Sequence, residues 1–159
     1  MVKYLLDTDH FSFLQRGSGK EFTQLMTRMN QYSSTEFAVS IISFHEQVLG
    51  AHNFINRART NRDIIRGYTL LQEILQGFTS FSILRFDMVA VSIFNELREN
   101  KVRGSTMDLR IGAIEPKAQR IEDSIALSRN LILLTRNVAD FNKIPNLKIE
   151  DWTVDPQIF

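Results

Sequence analysis

Five oxygen-bearing side chains, spread over the whole chain, are the residues of this sequence most capable of chemistry. They are Asp7, Glu46, Asp108, Asn137 and Asp140. Each alone has an ordinary explanation as a helix cap, a solvated side chain or part of a turn. As a set without cysteine or a paired histidine motif, they are hard oxygen ligands of the kind that Mg²⁺ or Mn²⁺ prefers. A metal ion in such a cluster activates water and neutralises charge on a phosphate, so the set predicts phosphodiester cleavage.

The elements that must position these residues are short apolar runs separated by stretches of helical period. The runs cover residues 4–6, 37–42, 81–86 and 131–135, with a weaker one at 147–149. Runs that are apolar almost throughout are typical of strands buried on both faces of a parallel sheet. The pattern therefore predicts an α/β fold with a central, mostly parallel sheet of four to five strands and helices on both faces. Ligands of such sheets bind beyond the carboxyl ends of the strands, where the oxygen-bearing residues fall.

Two aspartates occupy positions typical of helix caps. Asp9 is predicted to cap a helix over residues 10–16, and Asp87 a helix over residues 88–100. Asp7 then needs another partner, such as a cation or a backbone nest, because an uncompensated buried carboxylate is costly.

Length and composition limit the classes of protein to which this chain can belong. The 159 residues, 43% of them hydrophobic, with a net charge of +1, predict one domain over 1–159. The absence of cysteine excludes disulfides, thiolate catalysis and iron–sulfur clusters. No apolar run approaches the roughly 20 residues that span a bilayer, and the N-terminus has no secretory pattern. We expect a cytoplasmic protein with no membrane partner.

Five segments of the chain, taken together, resemble the PIN-domain nucleases, and most closely the VapC-type toxins of bacterial toxin–antitoxin modules. The segments are LLDTD at 5–9, FHEQVLG at 44–50, TMDLRI at 106–111, LLTRNVADF at 133–141 and IPNLKIEDW at 144–152. No single segment is specific, but their order and spacing match the family over nearly the whole chain. The resemblance implies a PIN-like three-layer sandwich and an endoribonuclease that depends on Mg²⁺ or Mn²⁺. It also implies a homodimer and a cognate antitoxin that occludes the site, and many members of the family cut tRNA.

The resemblance also implies roles for individual residues. Asp7, Glu46 and Asp108 match the three acids of the family and would hold the metal. The fourth polar position falls at Asn137 or Asp140, with Asn137 favoured.

Three further residues are candidates for binding the RNA substrate. Thr8 matches the hydroxyl residue that follows the first family acid, and would hold a ligand or water. Arg103 leads into the Asp108 segment, and Arg110 follows that acid by two residues. Either arginine can contact a phosphate, and Arg110 can instead be a local counter-charge.

One segment departs from the family pattern, because residues 115–125 look inserted between Asp108 and the last strand. As continuous helix, eleven extra residues would move Asp108 by roughly 16 Å. Three readings stay open. In the first, the chain bulges near 112–117, with Pro116 in the first turn of a new helix, and Asp108 stays at the site. In the second, Asp123 replaces Asp108; in the third, the fold has lost its activity.

Three functions therefore compete. The first is a metal-dependent endoribonuclease toxin. The alternative is a catalytically disabled PIN-like protein that binds an antitoxin or RNA, its site disrupted by the 115–125 insertion. A receiver-like signalling domain also gathers carboxylates around Mg²⁺, but the segment after the run at 131–135 lacks the lysine that we expect there.

Overall fold

The computed structural model describes residues 1–104, 114–138 and 144–155. The strands are β1 Tyr4–Leu6, β2 Phe37–Ser40, β3 Ser82–Leu84, β4 Ile132–Leu134 and β5 Lys148–Glu150. The helices are α1 Thr8–Arg16, α2 Lys20–Met29, α3 Ile41–Arg57, α4 Asn61–Thr79, α5 Met88–Gly104 and α6 Ile114–Ser128, with a 3-10 turn at Ser34–Glu36. Among the described helices, none combines the length and the apolar character needed to cross a membrane.

The five strands form one sheet in the order β3-β2-β1-β4-β5, and every pair is parallel. The central strand β1 shows how two cores arise, because successive side chains of a strand point to opposite faces. Leu6 packs into a core that includes residues of α1, α2, α3 and α4. Leu5 packs into a second core with residues of α5 and α6. The predicted α/β fold, with helices on both faces of a parallel sheet, is confirmed.

The start of α6 bears on the segment that departs from the family pattern. Because α6 begins at Ile114, Pro116 lies in its first turn, as predicted. Residues 114–117, the described part of the predicted bulge, are helical. Asp108 and residues 112–113 lie outside the described residues, so the three readings of the insertion stay predictions.

The predicted cap of α1 was wrong, because Asp7 rather than Asp9 occupies that position. Asp7 has extended backbone angles, φ −71° and ψ 173°, and its side chain accepts a hydrogen bond from the His10 main chain. A single residue separates β1 from α1, so the cap must be the residue that ends the strand. Asp9 lies in the first turn of the helix.

The predicted cap at Asp87 is confirmed. Its Oδ1 accepts from the Ala90 main-chain nitrogen at 3.1 Å, and Arg129 Nη2 donates to Oδ2 at 2.7 Å. The hydrogen bond from Ala90, together with the charge of Arg129, holds the pKa of Asp87 below its ordinary value. The contact between Arg129 and Asp87 joins the start of α5 to the end of α6.

Helices α3 and α4 approach closely at Gly67, which gives a test of the packing. A Cβ on Gly67 would overlap Cγ1 of Ile55 and lie 3.3 Å from Cδ1 of Phe54. We expect Gly67→Ala to lower the free energy of unfolding by about 1–3 kcal/mol, the usual cost of overpacking, as measured by urea denaturation. Gly50→Ala in α3 is the matched control, since a Cβ there meets nothing within 4 Å. The free energy of unfolding of Gly50→Ala should rise by about 0.5–1 kcal/mol. A Gly67→Ala variant as stable as this control would contradict the close approach of α3 and α4 at Gly67.

Candidate active site

The candidate site lies at the carboxyl edge of the sheet, where the strand order reverses. From β1 the chain adds β2 and β3 on one side, then β4 and β5 on the other. Ligands of open parallel sheets bind in the crevice at such a reversal. The main-chain nitrogen of Asp7, directly after β1, donates to the Leu134 carbonyl at 3.0 Å, so the ends of β1 and β4 meet there.

Asp7 is held in place by His10. The side chain of Asp7 is buried, and its Oδ1 accepts from the His10 main-chain nitrogen at 2.8 Å. The same oxygen lies 3.2 Å from Nδ1 of the His10 ring. The first candidate acid is thus anchored by the helix that follows it.

The second candidate acid, Glu46, reaches the site because of its position on α3. Ser40 ends β2 and caps α3, with its Oγ accepting from the Ser43 main-chain nitrogen at 3.0 Å. Ser43 and Glu46 are three residues apart and share one face of the helix. Glu46 accepts a short hydrogen bond from Thr8 Oγ1, which follows Asp7 in the chain. Glu46 is therefore half-buried and bonded across the crevice rather than fully solvated.

A third acid, Glu122 of α6, joins the same network. Its Oε1 accepts from Ser43 Oγ at 2.5 Å and from Ser40 Oγ at 2.8 Å. Each hydroxyl has one proton to give. Thr8 gives its proton to Glu46, and the two serines give theirs to Glu122. Thr8 Oγ1 also lies 3.2 Å from Ser43 Oγ, so the Thr8–Glu46 pair and the serine–Glu122 group are neighbours beside the end of β1.

The electrostatics of this network are dominated by Glu122, which is 2% exposed. The pKa of Glu122 is raised to about 8, mainly by burial and also by the negative charges of Asp7 and Glu46. The hydrogen bonds from Ser43 and Ser40 act in the opposite direction. The carboxyl group thus lies within the field of both other acids, in surroundings that disfavour its charge.

The described residues alone do not complete a metal site. Within 1–104, 114–138 and 144–155, no three His, Asp or Glu side chains are close enough together to hold one ion. The predicted acids Asp108 and Asp140 lie outside these ranges, as does Arg110.

Comparisons with known proteins give relatives over nearly the whole chain, although no protein-family model matches it. The tRNA(fMet)-specific endonuclease VapC of Salmonella typhimurium is 26% identical over 152 residues, which are 96% of this chain and 99% of that protein. The DNA-bound VapBC structure from Salmonella typhimurium superimposes with a TM-score of 0.72 at 22% identity, covering 96% of this chain and 99% of that one. The chain is VapC-like in sequence and fold. The resemblance predicted from the five segments is confirmed.

Other solved structures share the fold of this VapC-like chain. VapBC-1 from nontypeable Haemophilus influenzae has a TM-score of 0.70 at 22% identity, covering 97% of this chain and 100% of that one. FitAcB from Neisseria gonorrhoeae has a TM-score of 0.64 at 20% identity, covering 94% of this chain and 97% of that one. The sheet order and the layers described above are thus those of a known fold.

The structure brings part of the predicted site together. Asp7, Thr8 and Glu46 meet at the reversal of strand order. Asn137 follows β4 at the same edge and is exposed, with its main-chain nitrogen donating to Thr135 Oγ1 at 3.2 Å. Asp123 is buried in α6, beside Glu122. Arg103 lies near the end of α5.

Sequence reasoning missed Glu122, Ser40 and Ser43. The signal for Glu122 is its helical phase, since it precedes the buried Ile125 and Ala126 by three and four residues. The signal for the serines is their spacing of three residues at the end of an apolar strand, which is typical of a helix cap. Neither signal reveals that the cap hydroxyls also bind a carboxyl group from a segment about 80 residues away.

Proposed function

We propose that this VapC-like chain is a metal-dependent endoribonuclease toxin that hydrolyses phosphodiester bonds in RNA, with tRNA as the substrate class. One observation carries the proposal. Carboxyl groups from three distant segments, Asp7, Glu46 and Glu122, lie within one another's electrostatic field at the crevice where the strand order reverses. Thr8, which follows Asp7, donates to Glu46, and its Oγ1 lies 3.2 Å from the Oγ of Ser43, which donates to Glu122. The curated relative is a tRNA(fMet)-specific endonuclease, which supports the substrate class.

The donor set at this edge fits a hard divalent cation. Its side chains are carboxylates and hydroxyls, and such oxygens are the ligands that Mg²⁺ and Mn²⁺ prefer. A buried carboxyl group in the field of two others also favours a cation that compensates the charge.

We assign Asp7 and Glu46 to the metal, together with Asp108, or Asp123 in its place. Glu122 would support the ion through its charge, since it lies in the field of Asp7 and Glu46 without forming a three-acid ligand set with them. Asn137 or Asp140 completes the catalytic set. When bound, the ion supplies an activated water and neutralises charge on the phosphate.

The residues of the chain itself orient the groups of the site. Thr8 fixes the direction of Glu46 by donating to Oε2, and the two serines hold Glu122. In this proposal Arg103 and Arg110 contact the phosphates of the RNA, which positions the backbone without reading its sequence.

The proposal includes a protein partner. A toxin–antitoxin complex from Klebsiella pneumoniae has this fold, as does a member of the VapBC family of toxin–antitoxin systems from Mycobacterium tuberculosis. By similarity, we propose that a cognate antitoxin covers the carboxyl edge, that the chain forms a homodimer and that it acts in the cytoplasm.

Metal removal tests the proposed function. The purified protein should cleave total tRNA in Mn²⁺ or Mg²⁺, lose all cleavage in excess EDTA, and regain it when Mn²⁺ is added in excess of the chelator. A mock purification from cells without the gene is the control for contaminating nucleases. Cleavage that persists in EDTA would contradict the metal-dependent reaction. A protein that neither binds Mn²⁺ nor cleaves RNA would favour the catalytically disabled alternative.

A further inference from the structure

The side chain of His10 is fully buried next to Asp7, and the proposed reaction does not use it. Its relative exposure is 0%. The two ring nitrogens contact different parts of the chain: Nδ1 lies 3.2 Å from Asp7 Oδ1, and Nε2 lies 3.3 Å from the main-chain nitrogen of Trp152. The imidazole therefore joins the first candidate acid to a segment 142 residues further along the chain.

These contacts determine which ring nitrogen carries the proton. A main-chain N–H can only donate, so the contact with Trp152 makes Nε2 an acceptor. With Nε2 as an acceptor, the ring carries its proton on Nδ1, where it is donated to Asp7 Oδ1. Asp151 Oδ1 also lies 3.5 Å from Nε2, but it accepts from Thr153 N at 2.8 Å and Thr153 Oγ1 at 2.6 Å. The hydrogen bonds of Asp151 Oδ1 are thus made within the turn formed by residues 151–153.

The segment that fixes the ring is itself firmly anchored. Trp152 is 2% exposed, and its ring lies 4.8 Å from that of Tyr4 in β1. The indole Nε1 donates to Glu150 Oε2 at 2.6 Å. Arg28 of α2 donates to the carbonyls of Asp151 at 3.3 Å and Val154 at 3.4 Å. The Trp152 main chain is therefore a fixed reference point for the imidazole.

We infer that His10 is a positioning residue for Asp7, with its Nδ1-protonated form set by the main chain of Trp152. Among the described residues, both hydrogen-bond donors to the Asp7 side chain belong to His10 and both meet Oδ1. Oδ2 is therefore the oxygen presented to a ligand. Mutation of groups that orient metal ligands in this way typically lowers metal affinity or activity by about 10- to 100-fold. The catalytic consequence rests on the proposed function, whereas the hydrogen-bonded arrangement does not.

The tautomer can be measured on the metal-free wild-type protein. Nitrogen-15 NMR of histidine-labelled protein should show His10 with a protonated Nδ1 and an unprotonated Nε2, and Asp7→Asn should shift the Nδ1 signal most. His45 and His52, which are exposed, provide the reference signals within the same sample. A proton on Nε2, or a His10 signal that is insensitive to Asp7→Asn, would overturn the inference. This measurement needs neither metal nor RNA, so it stands even if the proposed nuclease activity fails.

Two variants at position 10 separate positioning from simple packing. His10→Phe keeps a ring in the core but donates nothing, whereas the amide of His10→Asn places a donor where Nδ1 lies. We expect His10→Phe to weaken Mn²⁺ binding and slow RNA cleavage by about 10- to 100-fold, and His10→Asn to recover most of that loss.

Phe11→Leu is the matched control for this pair. Phe11 is the next core residue of α1, and its ring packs against those of Phe78 and Phe81. The variant should lower the unfolding temperature without changing Mn²⁺ affinity in the folded protein. Equal Mn²⁺ affinity in wild type and His10→Phe, or equal losses in the Phe and Asn variants, would show that the histidine serves packing alone.

Discussion

Asp7→Asn should reduce RNA cleavage by on the order of 10³-fold or more while leaving the protein folded. The substitution removes one negative charge from the crevice but little else. Asparagine caps helices about as well as aspartate, and its Oδ1 can still accept from the His10 main chain. We therefore expect the free energy of unfolding to change by less than about 1 kcal/mol. Cleavage of total tRNA in Mn²⁺ and urea denaturation measure the two effects.

Asp63→Asn is the matched control for Asp7→Asn, because it makes the same change in the first turn of α4. Asp63 is paired with the cap residue Thr60, whose Oγ1 donates to its Oδ2 at 2.7 Å. Cleavage by this variant should equal that of the wild type. If Asp7→Asn cleaves RNA as fast as Asp63→Asn does, Asp7 is not part of the reaction and the proposed site is wrong.

Glu122→Gln should impair metal binding without destabilising the metal-free protein. The amide is neutral, has the same shape and can still accept from Ser40 and Ser43 through its oxygen. Because burial disfavours the charged carboxylate, the neutral side chain should leave stability at pH 8–9 unchanged or raised. We expect the dissociation constant for Mn²⁺ to rise at least about tenfold, and RNA cleavage to fall by a similar factor. Isothermal titration calorimetry and thermal unfolding provide these two readouts.

Two companion variants make the Glu122 result decisive. Glu73→Gln changes a surface glutamate that pairs with Arg66 at 3.5 Å, and should alter neither readout. Asp123→Asn tests the prediction that Asp123 replaces Asp108. If Asp123→Asn abolishes Mn²⁺ binding while Glu122→Gln binds normally, the acid of α6 that serves the metal is Asp123, and our assignment of Glu122 is wrong.

The fold could be predicted from the sequence because local patterns determine it. Apolar runs mark all five strands, and the alternation with helical stretches leaves a parallel sheet as the simple solution. Errors arose at the boundaries. The run at 37–42 ends as a strand at Ser40, because Ser40 caps α3 and the two isoleucines that follow begin the helix. Likewise, the cap of α1 is Asp7 and not the predicted Asp9, because a single residue lies between β1 and α1.

The site could be predicted only in part, because its completion depends on contacts between distant segments. The end of a strand indicates Asp7, and resemblance to a family indicates Glu46. Nothing local shows that Thr8 donates to Glu46, or that two cap serines bind Glu122. The contact of His10 with Trp152 is likewise invisible in the local sequence, since the two residues are 142 positions apart. Such contacts follow from the packing of α1, α3 and α6 against one sheet edge, and they become visible once the fold is known.

Crystals soaked in Mn²⁺ test most directly whether the carboxyl groups of distant segments share one divalent ion. Anomalous diffraction should give a peak at the carboxyl edge of the sheet, with an Asp7 oxygen and at least one further carboxylate of the set at about 2.1 Å. The peak should vanish in crystals of Asp7→Asn. An empty edge in wild-type crystals at saturating Mn²⁺, or a peak far from Asp7, would contradict the account.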